Sequence, residues 1–289
     1  MSLNEETQPA SAQRMYTARA DGYDDSHHPA LSRRFMAIAD VRPGERVLVL
    51  CCGTGLEVIL AAEAGAASVV GVDVTDAMLA KARAKLLLGD GDGLKTSSSN
   101  IRLYAGDVTR LDETVPELAG QVFDVVVCCS AFVLLAEPET VLRSWKRFLV
   151  PGGRLVVDVP HEHNLLPGLL LERAARRLSG GSVAAYPSNR TWVEDRHSFA
   201  HMLERAAGYA VEEVRVLDKV SGRGDVEYGI EQVDEQFEQA ARSSITVGLP
   251  ADEWVDKVRP LFREEWEKVA VDGKVVSVDA VYVYVARVA

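Results

Sequence analysis

RVLVLCCGTG, running from Arg46 to Gly55, decides the fold of this chain. Val47, Leu48, Val49 and Leu50 form an uninterrupted apolar run, as suits a strand buried on both faces in a parallel sheet. The run ends in Cys51-Cys52-Gly53-Thr54-Gly55. Two glycines one residue apart let the backbone turn sharply and pass close to a ligand. Leu56 to Ala64 is rich in helix formers and free of proline. Strand, glycine turn and helix N-terminus make a nucleotide-type cradle, because the first helical N–H groups lack partners inside the helix.

Working outward, the same unit recurs. Ser68 to Val72 is a second strand, ending at Asp73. An α/β cofactor fold places the acid that bonds ribose hydroxyls about 20 residues past the turn, and Asp73 stands there. Thr75 or Asp76 caps the next helix, which runs to about Leu88. Ile101 to Ala105 is a third strand ending at Gly106-Asp107, and Phe123 to Cys129 a fourth. Glu137 to Leu149 is a helix. Pro151-Gly152-Gly153 then turns the chain into a fifth strand, Arg154 to Val159. Strands alternating with helices mean a parallel, doubly wound sheet. Its ligands sit outside the carboxyl ends of the strands, where Asp73, Asp107, Ser130 and His161 fall.

The flanks are less regular. Pro29 opens a helix over Ala30 to Asp40. His161 to Arg190 reads as an irregular or helical insertion. Asp195 caps a helix carrying Phe199, Met202, Leu203 and Ala206 on one face, with Gly208 ending it. Val211 to Val220 is a sixth strand, Glu227 to Ala270 is mainly helical, and VVSVDAVYVYVA, Val275 to Ala286, is one final strand.

Composition excludes several functions. The 289 residues are 47% hydrophobic and 26% charged, with a net charge of -11 and a pI of 5.1. These values fit one α/β domain with insertions. An acidic chain without a basic run is poorly suited to nucleic acid or an anionic membrane surface. No stretch is long and apolar enough to span a bilayer. The N-terminus, MSLNEETQPASAQ, has neither signal-peptide nor transit-peptide character; residues 1–12 are expected to be a disordered tail, and the location cytoplasmic. The four cysteines form two adjacent pairs, Cys51-Cys52 and Cys128-Cys129, without CxxC spacing. They read as buried apolar-behaving thiols rather than a redox switch, with no disulfide and no metal. His197 and His201 stand one helical turn apart but have no third ligand for zinc.

VLVLCCGTG, GVDVTDAML, AGDVTRL, FDVVVCCSAFVLL and LVPGGRLVV together resemble, in order, the motifs of class I S-adenosylmethionine-dependent methyltransferases. They cover about Val47 to Val157. More narrowly, the N-terminal Tyr16…Tyr23-Asp24 pattern and the tail DGKVVSVDAVYVYVARV are similar to the ubiquinone/menaquinone-biosynthesis type of small-molecule methyltransferase. The resemblance implies an α/β fold: a Rossmann-like, doubly wound, seven-stranded sheet, mostly parallel with an antiparallel last strand, plus helical lid insertions. It implies a single domain over residues 13–289, with a helical cap at 13–45 and lid or substrate insertions at 161–190 and 221–270. The cofactor implied is S-adenosyl-L-methionine, and the setting small-molecule methylation in secondary metabolism.

Residue by residue, Gly53 and Gly55 with Cys51 and Thr54 would approach the methionine part of the cofactor. Asp73 would bond the ribose hydroxyls, with Val74 beside it. Asp107 would accept from the adenine amino group, with the Val108 N–H facing a ring nitrogen. Met78 would pack on adenine or ribose, Tyr16 and Tyr23 would act as lid tyrosines, and Ser130 would complete the pocket. Two departures stand out. Val49 replaces the acid usual near the end of the first strand, and Cys51 replaces the glycine that usually starts the turn.

Methyl transfer needs alignment and exclusion of water more than acid–base power. His161 and His28 are the candidate bases for an acceptor that must lose a proton. Leu165, Leu166, Leu169, Leu170, Tyr186, Trp192, Phe237 and Trp254 lie in or beside the insertions, and suit walls around a small, largely apolar or aromatic acceptor beside Ser130 and His161. The expected partners are that small molecule and no nucleic acid or membrane, in a monomer or homodimer. Two alternatives stay open: a methyltransferase-fold protein that binds the cofactor without methylating, and a nicotinamide (NAD) oxidoreductase. GTGLEV approaches the form G-x-G-x-x-G but has Val58 in place of the third glycine.

Overall fold

The computed structural model describes residues 7–88, 100–178, 188–242 and 252–288. In chain order the helices are α1 Gln8–Thr17, α2 His28–Ala39, α3 Leu56–Glu63, α4 Asp76–Leu88, α5 Leu111–Thr114, α6 Pro138–Lys146, α7 Leu166–Leu178, α8 Ser198–Ala207, α9 Val233–Ala241 and α10 Asp252–Val269. The strands are β1 Arg46–Leu50, β2 Ser68–Asp73, β3 Ile101–Ala105, β4 Phe123–Cys128, β5 Leu149–Pro160, β6 Tyr209–Asp218, β7 Val226–Gly229, β8 Lys274–Ser277 and β9 Ala280–Val288.

Seven strands form one sheet in the order β3-β2-β1-β4-β5-β9-β6. β1 pairs in parallel with β2 and β4, β2 with β3, and β4 with β5. β9 lies antiparallel between β5 and β6. This is the expected Rossmann-like, doubly wound α/β sheet with an antiparallel last strand. Val47, Leu48 and Leu50 are fully buried, because helices cover both faces of β1, as its continuous apolar run requires. On one face Val47, Val49, Val125, Val127 and Val156 pack with Phe35 of α2 and Val58 of α3. On the other, Leu48, Leu50, Val126 and Leu155 pack with Trp145 of α6 and Phe199 of α8.

Several boundaries differ from expectation. Residues 8–12 are not a disordered tail: they open α1, where the Thr7 hydroxyl accepts the Ala10 N–H and Pro9 occupies the first turn. Proline there costs no helical hydrogen bond. The run Val275 to Ala286 is not one strand. It splits at Val278–Asp279, where the Asp279 carboxylate accepts the Ser221 and Gly224 N–H groups. β8 therefore pairs with β7 in a separate two-stranded sheet, and residues 226–229 are strand rather than helix. The Pro151-Gly152-Gly153 turn is absorbed inside β5 as a register shift against β4.

The segments read as insertions build a core of their own. Leu166, Leu169 and Leu170 of α7 pack with Phe237 of α9 and Phe262 and Trp266 of α10. Beside it Glu172, fully buried, accepts from the Arg176 guanidinium at 2.9 Å, the Ser188 hydroxyl at 2.6 Å and the Arg190 N–H at 3.2 Å.

Candidate functional site

A cavity enclosing about 780 Å³, part of it open to solvent, lies at the carboxyl ends of β1, β2 and β4. Such a crevice is where an open α/β sheet binds its ligands. Its floor is the turn after β1. Cys51 adopts φ 54° and Gly53 φ 50°, left-handed conformations that glycine takes freely and cysteine at a cost. A Cβ at Gly53 would meet nothing closer than Met78 Cε at 3.8 Å, so the glycine leaves room above the turn.

Asp73, at the end of β2, ties the floor together. One carboxylate oxygen accepts the Gly53 N–H at 2.8 Å and the other the Thr75 N–H at 2.8 Å. Burial pushes this carboxyl up, and the Thr75 and Gly53 N–H groups, the Thr75 hydroxyl and the Val74 N–H pull the other way. A carboxylate has about four acceptor sites. Asp73 lines the cavity, so acceptor capacity left by these donors is offered to a hydroxyl from that side. Asp107, after β3, is likewise partly used: Oδ1 accepts the N–H and hydroxyl of Thr109 at 2.9 and 2.7 Å. It is a turn former and a cavity wall at once.

The roof comes from the N-terminal segment. Gln8, Pro9, Ala12 and Tyr16 of α1 line the cavity with Tyr23. The two tyrosine rings meet edge to face, 6.3 Å between centroids. Burial pushes both phenols above their ordinary range, so they serve as neutral hydroxyls and apolar faces. Gln13 Nε2 donates to the Val74 carbonyl at 2.8 Å. Asp24 accepts the Thr54 hydroxyl at 2.6 Å and pairs with Lys85 at 2.7 Å, clamping the roof onto the floor.

The remaining wall is the segment leaving β4: Cys129, Ser130, Ala131, Leu134, Leu135 and Ala136. Ser130 has φ 56°, and its N–H donates to Asp158 Oδ1 of β5 at 2.6 Å. Burial, with Glu57 adding, pushes the Asp158 carboxyl up to about 7. Glu57, in the first turn of α3, accepts the Ser32 hydroxyl at 2.5 Å, and burial raises its carboxyl too.

The structure thus brings Tyr16, Tyr23, Cys51, Gly53, Asp73, Val74, Met78, Asp107, Val108 and Ser130 to one cavity. Four expected site residues lie off it. Thr54 is buried in the Asp24 clamp. A Cβ at Gly55 would lie 3.0 Å from Ala82 Cβ, so this glycine permits close packing of α3 on α4. His28 stacks behind Tyr23 at 4.1 Å. Burial, with His27 and Arg19 adding, pushes it down to about 4. His161 stacks on Tyr282 at 5.1 Å, and its Nδ1 accepts the His163 N–H at 3.1 Å. Neither histidine lines the cavity; each is stacked on an aromatic neighbour instead.

The insertions do not supply the expected walls among the described residues: none of those in 161–178, 188–190, 221–242 or 255–270 lines this cavity. Leu166, Leu169, Leu170 and Phe237 are spent on their own core. Trp192 packs against Phe132 and Phe199, and Leu165 is exposed. Tyr186 and the Trp254 side chain lie outside the described residues. Val49 faces the apolar core, so nothing there replaces the missing acid. Among the described residues no three ligand-type side chains gather to hold a metal.

Sequence reasoning missed Gln8, Pro9 and Ala12, placed in the supposed tail, and the stretch after Ser130. For the latter a signal existed: Ala131 to Ala136 directly continues a strand end already assigned to the site.

A family model described as a methyltransferase domain matches residues 47–153. A trans-aconitate 2-methyltransferase of Deinococcus radiodurans is 34% identical over 148 residues, 50% of this chain and 50% of that one. A demethylmenaquinone methyltransferase of Thermus thermophilus is 36% identical over 126 residues, 43% of this chain and 51% of that one. The chain therefore spans about half the length of these relatives. Among solved structures, an S-adenosylmethionine-dependent methyltransferase from Mesorhizobium loti shares the fold at a TM-score of 0.50 and 20% identity, covering 88% of this chain and 96% of that one.

Proposed function

From the match of residues 47–153 to a methyltransferase domain we propose that the chain is a class I S-adenosylmethionine-dependent methyltransferase that methylates a small, largely apolar or aromatic acceptor by direct in-line displacement. The observation that carries this reading is the meeting of Asp73, Gly53 and Asp107 in one cavity under Tyr16 and Tyr23.

The residues present fit the cofactor. Asp73 presents its carboxylate to the cavity as the acceptor for the ribose hydroxyls. The bare Gly53 turn admits a chain running close to the backbone. Met78, 2% exposed, and Leu134 offer apolar contacts to a flat ring system. When bound, S-adenosylmethionine supplies an electrophilic methyl group on a sulfonium that leaves as a neutral thioether. The protein's part is to bind, orient and exclude water. α1 closes the cavity from above, held by Gln13 and the Asp24 clamp. Ala131, Leu134, Leu135 and Ala136 supply the apolar wall.

None of the six histidines is placed to take a proton at this cavity, so the reading favours an acceptor that is already nucleophilic or loses its proton to solvent. The named relatives act on a carboxylic acid and a quinone precursor, so the acceptor class is argued from the cavity alone. No described helix is long and apolar enough to cross a membrane. The acidic charge is poorly suited to nucleic acid, and we read the chain as a cytoplasmic enzyme, monomer or homodimer, acting on a small molecule. A second reading, cofactor binding without methyl transfer, is favoured by Val49, which removes an acid the family usually has.

The test is calorimetry with S-adenosylmethionine, followed by incubation with a panel of small carboxylic acids, phenols and quinols and with peptides. Binding plus a methylated small molecule is expected. Binding without any product supports the second reading. A methylated polypeptide defeats the small-acceptor reading.

A further inference from the structure

Two carboxyl groups stand behind the β4 exit wall without lining the cavity. Asp158 is 3% exposed and holds the Ser130 N–H at 2.6 Å. Glu57 is 8% exposed, holds the Ser32 hydroxyl at 2.5 Å and lies against the Cys129 thiol. Cofactor binding as derived above uses neither. Buried carboxyls are costly; Glu57 has Lys85 acting on it, whereas Asp158 makes no ion pair among the described residues, so its place behind this wall calls for a role.

Building on the methyltransferase reading, we propose that Asp158 is a positioning residue: it fixes the β4 exit wall through Ser130, and its buried carboxylate makes the cavity prefer a cationic sulfonium cofactor over the neutral thioether left after transfer.

The positioning half rests on geometry. Ser130 sits in a left-handed conformation unfavourable for a serine, and a short charge-assisted bond from its N–H offsets that cost. The selectivity half rests on placement. Asp158 lies one residue's reach behind a lining residue, in a dry compartment where charge acts at longer range than in water. The groups that act on it are the Glu57 carboxyl from α3 and the Ser130 N–H, with the Cys128 and Cys129 thiols of β4 feeling its charge in turn; across the sheet it faces Val283 of β9. None of these is a cation. Lys85 of α4 and Tyr23 are linked to Glu57 instead. A cation in the cavity would therefore be drawn to a carboxylate that makes no ion pair among the described residues. Near neutral pH, where the Asp158 carboxyl is partly protonated, loading the sulfonium form expels a fraction of a proton. Loading the thioether does not.

Calorimetry tests this with S-adenosylmethionine and S-adenosylhomocysteine on wild type, Asp158→Asn and Glu57→Gln, from about pH 5.5 to about pH 8.5. In wild type the ratio of sulfonium to thioether affinity should rise about tenfold across the interval. In D158N it should be low and flat, although asparagine still accepts the Ser130 N–H. That variant also separates Asp158 from Asp73, which faces the ligand directly. In E57Q the rise should move to lower pH, because the repelling neighbour is gone; should D158N fail to fold, this shift carries the test. A ratio constant with pH, or unchanged in D158N, overturns the proposal while the methyltransferase reading stands. No binding of either ligand overturns that reading and the proposal with it.

Discussion

The carboxylate of Asp73 accepts the N–H of Gly53 at 2.8 Å, tying the end of β2 to the turn after β1. The acid that can hold a ribose and the glycine that makes room for the chain beside it are thus one hydrogen-bonded unit. Removing the acid removes both its ligand bonds and the anchor of the turn. Asp73→Ala is expected to weaken S-adenosylmethionine binding by about 1.5–3 kcal/mol, the scale of hydrogen bonds to a charged group. Asp73→Asn, which keeps an acceptor for one N–H, should lose less. Calorimetry on folded variants checks the order, and unchanged affinity in Asp73→Ala rules out the role.

Asp24 joins the roof to the floor through Thr54 and Lys85. Asp24→Ala should cost about 1 kcal/mol of stability, since the Lys85 pair is partly exposed and screened. Its larger effect should be on the roof. Hydrogen exchange in residues 8–23 should speed up, and cofactor release should be faster in stopped-flow. Protection unchanged across α1 would show that Gln13 and the ring contacts hold the roof alone.

The central strands were legible because burial on both faces leaves no alternative to continuous apolar runs such as Val47–Leu50 and Val125–Val127. Asp73 and Asp107 were legible because strand ends fix where such side chains can act. The start of α1, residues 8–12, was not, since QPASA is polar in sequence and becomes part of a roof only by lying over the cavity; the later Tyr16 was legible as a lid residue. The break at Asp279 was hidden in a run of valines; what ends the strand is a carboxylate capturing N–H groups from residues 221 and 224, far away in sequence. The insertions misled for a different reason. Apolar residues such as Leu169 and Phe237 satisfy a core as readily as a pocket wall, and three amphipathic helices, α7, α9 and α10, had faces to bury against one another.

Glu172 anchors that second core. It is fully buried and receives the Arg176 guanidinium together with the Ser188 hydroxyl, while Arg190 lies close by and bonds the Asn164 carbonyl. Glu172→Ala strands buried cationic and polar groups and should cost about 3–5 kcal/mol. Glu172→Gln, which keeps an acceptor but loses the charge, should cost less. Urea unfolding followed by tryptophan fluorescence reads this out. A loss below about 1 kcal/mol in the alanine variant would mean that water replaces the carboxylate.

Asp158 gives stability a pH slope of unusual sign. Its carboxyl is pushed up to about 7 in the folded chain by burial, with Glu57 adding, against about 3.9 when unfolded. Between these values the folded state binds more protons than the unfolded state, so stability from this group falls as pH rises from about 4 to about 7. Paired carboxylates such as Asp124 on Arg46 and Glu45 on Arg154 are pulled down instead, and they destabilise the fold as pH falls through their lowered range. The two contributions separate in a difference measurement. Asp158→Asn keeps the Ser130 acceptor but cannot titrate. Relative to wild type it should gain stability steadily from pH 4 to pH 7, by about 1–4 kcal/mol at the upper end, and the gain should level off above. Denaturant titrations of both proteins at closely spaced pH values supply the curve. A difference that does not change with pH would place the Asp158 carboxyl back in the ordinary range, ionised throughout from about pH 5.5 to about pH 8.5, and would remove the pH dependence expected of the cofactor selectivity.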